Sequence, residues 1–486
     1  MLFRSDMGAA RAGGELRYRA VERRILDMLE SGRLAPGGRA PSLREMSRAA
    51  GVSLVTVGRA YEELERKGVL ESRPRSGHFL RQGRERLQAP APRQAPAQEP
   101  RAVNRQALIR EVLTVVGDRG LLPLGVVAPD ERLLPGAQLA RILGQVLRDE
   151  PAASLNYTPV TGLPALRRQI AFRAQDWGAE VRPEEVLVTS GAIEALHIAL
   201  RALTRPGDAV LVQAPTYHCF LQLLECLGLR VIEAPSSPAT GISPAQVREA
   251  VDRFDIRCCI LTPNFNNPDG ALLPEEAKAE IVEILAGRGI PLVEDDVYGD
   301  LHFGPKRPAG FKKWDRKGLV LQCSSFSKTL CPGWRVGWIM PGRFLDRAVD
   351  VKFTSSVATA TPTQMAVARY LAEGRYDRHV RRLRQTLEDQ MRAMEPLLAR
   401  HFPAGTRVTR PSGGCVLWLE LPGGVDSVDL FYRARAEGIG IAPGNVFSTQ
   451  DRFSHYVRLN AGAVPDEALR AGLQRLGQLA ATAQPA

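Results

Sequence analysis

Metal-binding cysteine spacing is missing from this chain. Its seven cysteines are scattered, one pair adjacent at Cys258-Cys259, and no CxxC occurs. An odd, dispersed set argues against a zinc site and a disulfide framework, and fits a reducing compartment. Long apolar runs are lacking too. No stretch of about 18 uninterrupted apolar residues is present, so no membrane span is expected. The opening "MLFRSDMGAARAGGELRYR" has no apolar signal core. No internal repeat and no metal-ligand set stands out. The expectation is a cytoplasmic protein without a metal.

A length of 486 residues suggests two to three domains. The formal net charge of +12 is unevenly spread: residues 1–86 carry 18 basic against 11 acidic residues, and the far longer remainder carries 47 against 42. A basic amino-terminal end points to a polyanion such as nucleic acid, or to a solubilising surface. The stretch "QAPAPRQAPAQEPRAVNR", Gln88 to Arg105, has almost no large apolar residue to offset its ordering entropy. Its four prolines predict a semi-extended linker. The expected division is a head over 14–81, a linker over 82–106 and a body over 107–486, the body having a large part near 150–340 and a small part near 341–486.

Three helical patterns fit the head. Val21, Ile25 and Met28/Leu29 recur at helical spacing between Arg17 and Glu30. Ser42 offers an N-cap for "LREMSRAA" with Glu45 at capping-box spacing, and Gly51 breaks that helix. Ser53 caps "LVTVGRAYEELERKG", whose Val57, Tyr61 and Leu64 share a face. Two short helices around a tight glycine-containing turn match a helix-turn-helix. "VLESRPRSGHFL" reads as a hairpin with Arg73 and Arg75 at its tip, a basic wing suited to phosphates or a minor groove. From Leu16 to Leu80 the chain resembles the GntR-type winged helix-turn-helix, through Pro41-Ser42-Leu43-Arg44, Gly51-Val52-Ser53 with Thr56-Val57, and Ser76-Gly77. The resemblance implies DNA contacts by Arg44, Ser53, Thr56 and Arg59, with Arg73, Arg75 and Gly77 in the wing. Leu54 stands where the family often has arginine. It can meet a thymine methyl or simply remove a contact.

In the body, "EEVLVTSG", "DAVLVQAPTY", "RCCILTPN", "IPLVEDDVY" and "GLVLQCSSFSK" are short apolar strands separated by helical stretches. This alternation predicts an α/β domain with a mostly parallel sheet, its chemistry at the carboxyl ends of the strands. There lie Ser190, Tyr217, Asn267, Asp295, Tyr298 and Lys328. A lysine among hydroxyls can form a Schiff base with an aldehyde. Ser190-Gly191-Ala192 opens a helix and can hold a phosphate, with Ser325, Ser327 and Arg335 as further donors. Asp295 can keep a pyridine nitrogen protonated, Tyr298 and Asn267 can bond a phenolic oxygen, and Tyr217 can stack on a ring. Together these describe a pyridoxal 5'-phosphate pocket.

From Asn156 to Ala463, "NYTPVTGLPALRRQIA", "TSGAIEAL", "PTY", "NNPDG", "EDDVYGDL", "SFSKTLCPGWRVGW" and "YVRLNAG" resemble, in order, the fold-type-I enzymes of aminotransferase class I/II. The resemblance implies Lys328 as the Schiff-base lysine and Asp295 as partner of the pyridine nitrogen. It implies Asn267 and Tyr298 on the phenolic oxygen, and Ser190, Gly191, Ala192, Ser325 and Arg335 around the phosphate. Tyr157 is implied to reach a neighbouring subunit's phosphate, and Arg458 to grip an amino acid's carboxylate as a fork. Asp269 and Ile193 depart from commoner Thr and Gln. A GntR-like head, a Pro-rich linker and such a body resemble the MocR group of regulators. That implies a homodimer on operator DNA, with pyridoxal phosphate on Lys328 and an amino-acid-like effector exchanging at the aldehyde. It also permits heads docked on the other subunit's body. Two alternatives stay open: a working aminotransferase with a DNA-binding appendage, and a sensor of pyridoxal phosphate itself.

Overall fold

In the computed structural model of the chain, Ser42 and Glu45 form the reciprocal cap their spacing predicts. The Ser42 amide donates to Glu45 Oε2 at 2.7 Å and the Glu45 amide to Ser42 Oγ at 3.2 Å. The structure describes residues 17–31, 33–35, 37–66, 69–73, 76–80, 87–91, 99–101, 106–114, 118, 120–464 and 466–482. Two compact units divide the chain, Met1–Arg86 and Leu87–Ala486.

The first unit has helices α1 (Arg17–Glu30), α2 (Leu43–Ala50) and α3 (Leu54–Arg66), then β1 (Leu70–Arg73) and β2 (Gly77–Leu80). The two strands pair antiparallel, with Leu70 opposite Leu80 and Arg73 opposite Gly77. Gly51 ends α2 at φ +65°, a left-handed turn that a side chain would strain. Val21 and Ile25 from α1 meet Met46 and the Val57, Tyr61, Leu64 face of α3 in one core. The Tyr61 hydroxyl donates to the Pro41 carbonyl at 2.6 Å, tying α3 to the start of α2.

The second unit begins with α4 (Gln106–Leu113) and β3 (Leu122–Pro123), neither foreseen from the sequence. The strands β4 (Leu187–Thr189), β5 (Ala209–Ala214), β6 (Arg230–Pro235), β7 (Cys258–Leu261), β8 (Leu292–Asp295), β9 (Val320–Ser325) and β10 (Gly337–Met340) follow. They form one sheet in the order β4-β10-β9-β8-β7-β5-β6. Within it only β10 runs against its neighbours; the other pairs are parallel. Helices cover both faces, which is why β5, β7 and β9 are buried at every residue; β7 is apolar throughout, and polar residues enter β5 and β9 only at Gln213, Gln322, Ser324 and Ser325. A smaller antiparallel sheet holds β11 (Arg407–Val408), β12 (Val416–Glu420), β14 (Ala442–Pro443) and β15 (Tyr456–Asn460), while β13 (Ile439–Gly440) pairs with β3. Trp418 of β12 stacks on Tyr456 of β15 with ring centres 5.1 Å apart. No helix among the described residues is long and apolar enough to cross a membrane.

The expected linker over 82–106 is only partly described, and residues 82–86, 92–98 and 102–105 lie outside the described residues. Its described parts do not stand free of the body. Leu87 packs against the core of the small sheet, Pro90 is buried, and Arg101 pairs with Val231 of β6.

Candidate functional site

The parallel strands stop where their apolar runs give way to polar residues, and those ends surround a cavity of about 310 Å³. Ala192, Tyr217, Asn267 and Asp295 line it, as do Tyr298, Ser325, Ser327 and Lys328. Arg335 and Arg458 complete the set. Ser190 and Gly191 are not among the lining residues; Gly191 is the N-cap of the helix Ala192–Leu203, whose first residue does line the cavity. Tyr157 does not line the cavity of its own chain and is 85 % exposed.

At the helix start, Gly191 sits at φ +86°, and a Cβ there would run into the Arg335 guanidinium. Glycine therefore allows the guanidinium to lie directly on the turn. Arg335 donates to the Ser190 carbonyl at 3.1 Å, to Ser327 Oγ at 3.3 Å and to the Pro332 carbonyl at 3.2 Å. The Ser190 amide donates to Glu194 Oε2 at 2.5 Å. Burial pushes the Glu194 carboxyl up, but Lys352 Nζ at 2.8 Å, Ser356 Oγ at 2.6 Å and that amide outweigh it and hold the group below its usual range. The next amides, of Gly191 and Ala192, belong to a first turn without intrahelical partners. Fixed cation and oriented amides make this corner fit for a phosphate.

Asp295 also lines the cavity; it ends β8 and is 5 % exposed. Its Oδ1 has no hydrogen-bond partner. Burial first, then the neighbouring Asp296 charge, pushes its carboxyl up to about 7. An orphaned, buried acceptor of this kind calls for a donor bearing positive charge. Lys328 follows β9 and donates to the Val127 carbonyl at 2.6 Å; burial draws its ammonium down. Arg458, from the middle of β15, is 1 % exposed. It donates to Asn267 Oδ1 at 3.1 Å and to the Gly125 carbonyl, leaving Nε without a partner. Asn267 is thus engaged by Arg458 through its carbonyl oxygen. Tyr217 makes edge contacts with His218 and Phe220, its ring centre 4.8 and 5.5 Å from theirs.

Several residues of the site were not anticipated. His218 lines the cavity, and burial, aided by Arg458 and Lys328, brings its imidazole down to about 3, so it is neutral at ordinary pH. Val112 and Leu113 of α4 also face the cavity. Behind the lysine turn, Arg307 donates to Asp296 at 2.7 Å and to Asp300 at 2.6 Å, and the Tyr376 hydroxyl bridges Asp300 and Thr329. Three consecutive acids in "EDD" at a buried strand end demand such partners, but nothing local names Arg307. The backbone carbonyls of Gly125 and Val127 carry no side-chain signal at all.

In the first unit, Arg44 is exposed on the opening turn of α2. Ser53 Oγ accepts from the Thr56 amide at 3.2 Å and shares a 2.8 Å bond with Thr56 Oγ1, so the two hydroxyls are joined at the start of α3. The Arg59 guanidinium stands 4.7 Å from the Tyr18 ring centre. Arg73 is ion-paired with Glu71 at 2.6 Å and lies over Phe79, and Gly77 opens β2 at φ +95°. Arg75 lies outside the described residues. Leu54 and Val55 are 48 and 83 % exposed, an apolar pair projecting from the first turn of α3.

The family "Aminotransferase class I and II" matches residues 135–476, and "Bacterial regulatory proteins, gntR family" matches 17–80. The chain is 35 % identical over 462 residues to an uncharacterized HTH-type transcriptional regulator, YjiR of Escherichia coli, covering 95 % of this chain and 98 % of that one. It is equally similar to YdcR of the same organism, at 35 % over 463 residues, 95 % of this chain and 98 % of that one. Among solved structures, LysN, an alpha-aminoadipate aminotransferase from Thermus thermophilus complexed with N-(5'-phosphopyridoxyl)-L-leucine, superposes with a TM-score of 0.70 at 32 % identity, covering 77 % of this chain and 94 % of that one. An orphaned buried carboxylate sharing a cavity with a lysine, an arginine laid on a helix start and a capped helix-turn-helix head thus agree with these matches: the chain belongs to the aminotransferase class I and II family, in its MocR-type branch of helix-turn-helix transcriptional regulators with a gntR-family head.

Proposed function

We propose that this chain is a DNA-binding regulator whose body holds pyridoxal 5'-phosphate at Lys328 and whose head reads an operator according to the state of that pocket. The single observation that carries the reading is the unpartnered, buried Asp295 Oδ1 in one cavity with a partly buried lysine and with Arg335, whose guanidinium lies on the Gly191 turn. The bound cofactor supplies an aldehyde open to amines and a pyridinium ring that withdraws electrons. Asp295 would accept from the ring nitrogen, and the positive charge there would favour its ionised form. Arg335, Ser325, Ser327, Ser190 and the amides of Gly191 and Ala192 receive the phosphate. Tyr298 and Asn267 would bond the phenolic oxygen, and Tyr217 would wall the ring. Arg458 holds an effector carboxylate, its buried fork needing an anion. Lys328, its charge disfavoured by burial, exchanges a proton at Nζ.

Arg44, Ser53, Thr56, Arg59, Arg73, Arg75 and Gly77 form the DNA face, in a head over 14–81 joined by residues 82–106 to a body over 107–486. Leu155 and Tyr157, 88 and 85 % exposed, suit a homodimer in which Tyr157 serves the neighbouring pocket. Paired half-sites follow from two-fold symmetry, heads exchanged between subunits are one arrangement of that dimer, and the cytosol is its place. The intact Lys328–Asp295–Arg458 set favours one further reading, residual transamination, with Lys328 as the proton carrier.

The test is Lys328→Ala in the full chain. The variant loses the cofactor's lysine-dependent absorbance, and pyridoxal phosphate no longer alters its DNA affinity. A variant whose DNA response matches the wild type contradicts the reading.

A further inference from the structure

Strand β6 is one edge of the seven-stranded sheet, and β11 is one edge of the small sheet. Sheet edges offer unpaired amides and carbonyls, and in this chain both are taken by the segment that leaves the head. The Arg101 amide donates to the Val231 carbonyl at 3.0 Å, and the Val231 amide returns a bond to Arg101 at 2.9 Å. Glu99 reaches Arg253 at 2.8 Å, at the end of the helix Pro244–Arg253 that packs on β6. On the other edge the Val408 amide donates to the Gln88 carbonyl at 2.8 Å, and Arg410 donates to the Leu87 carbonyl at 2.7 Å.

The same run of chain then enters the cavity. Ile109 and Val112 of α4 are in the core of the small sheet, and Val112 and Leu113 also line the cavity. Further along the same run, the Gly125 and Val127 carbonyls hold Arg458 and Lys328. A group that takes the Arg458 Nη2 donor, or the Lys328 Nζ donor now spent on Val127, competes with those carbonyls. One segment therefore carries two sheet-edge clips, a wall of the cavity and the caps on its two key cations. Six residues, 81–86, join Leu80 at the end of β2 to the docked Leu87.

We propose that the clips at Leu87–Arg410, Gln88–Val408 and Arg101–Val231 are the coupling element of the regulator: occupancy of the cavity displaces the segment 124–128 and α4, changes the hold of the linker on the two sheet edges, and so alters the point from which the head is tethered. This rests on the regulatory reading above. It differs from a free linker in requiring that particular backbone hydrogen bonds respond to ligand. A two-state element biased by both sites is what coupling needs.

The test uses the full chain, pyridoxal 5'-phosphate as probe, and two variants at exposed positions: Arg101→Pro, which deletes the donor to Val231, and Arg410→Ala, which deletes the donor to Leu87. Hydrogen exchange is followed by mass spectrometry in peptides covering 87–101, 230–235, 407–410 and 325–328, alongside DNA affinity with and without cofactor. In the wild type, the cofactor protects 325–328 and changes exchange at both edges, and DNA affinity shifts by about 5–150-fold, the usual span of allosteric coupling. In each variant 325–328 is still protected, but the edge response is lost and the DNA shift falls to within about 2-fold, below the low end of that span. Either variant retaining the full wild-type shift overturns the proposal. So does a wild type whose edges ignore a cofactor that protects 325–328. If the edges respond while DNA affinity does not, the regulatory reading is what fails, and the clips lose their role as its coupling element.

Discussion

Replacing Asp295 with asparagine removes a pH dependence built into the cofactor-free protein. An aspartate ordinarily titrates near 3.8, and burial and Asp296 push this one up to about 7. The native state therefore holds a proton that the unfolded chain releases. By linkage, the group costs nothing below about pH 4, costs progressively more as the pH rises to 7, and carries its full cost above that. At 1.36 kcal/mol per unit, the full cost is at most about 4 kcal/mol. An asparagine side chain cannot ionise, so the cofactor-free Asp295→Asn variant is more stable than the wild type at pH 8, by up to about 4 kcal/mol, and equal to it near pH 4. Glu294 and Asp269 are also raised by burial, but they are present in both proteins and largely cancel in the difference. All five tryptophans, Trp177, Trp314, Trp334, Trp338 and Trp418, lie in the body, so urea unfolding followed by their fluorescence reports that unit. With cofactor added the order inverts, because the carboxylate gains its charged partner and the amide does not. A stability difference that is the same at pH 5 and pH 8 refutes the reasoning.

Three further outcomes follow from the geometry. Gly191→Ala drives a methyl into Arg335 at a backbone position that costs a side chain about 1–3 kcal/mol, so in an absorbance titration its cofactor affinity falls with that of Arg335→Ala, by roughly 10–100-fold for a lost charge-assisted bond. Ser42→Ala removes the capping box of α2 and costs the head about 1 kcal/mol, seen as a lower helix melting temperature by circular dichroism with no change in tryptophan fluorescence. Arg44→Ala weakens DNA binding and reduces the salt slope by about 1 if it meets a phosphate; an unchanged slope assigns Arg44 elsewhere.

Much of the site was legible because its chemistry is borne by side chains at strand ends. Lys328, Asp295, Arg335 and Arg458 each follow, precede or occupy a strand whose apolar run is plain, and the sheets bring them together. Ser42 and Glu45 were legible because a capping box is local. What escaped is carried by backbone or by distant pairing. The carbonyls of Gly125 and Val127 grip two cations without any residue preference. The linker has few large apolar side chains, yet it pairs with Val231 and Val408 through backbone groups every sequence possesses, so composition alone gives no sign of the docking. With Gln88 and Arg101 docked, the span open to exchange of heads between subunits is shorter than the twenty or so residues composition suggested. Arg307 lies eleven residues beyond Asp296, past the end of β8, and no local pattern pairs the two.

The central claim is that the pocket governs what the head reads. The most direct measurement is a selection of random DNA by the purified full chain, with pyridoxal 5'-phosphate present and then absent. The account predicts a paired motif whose enrichment changes with the cofactor. Sequence-blind, salt-sensitive binding that is the same in both arms contradicts it.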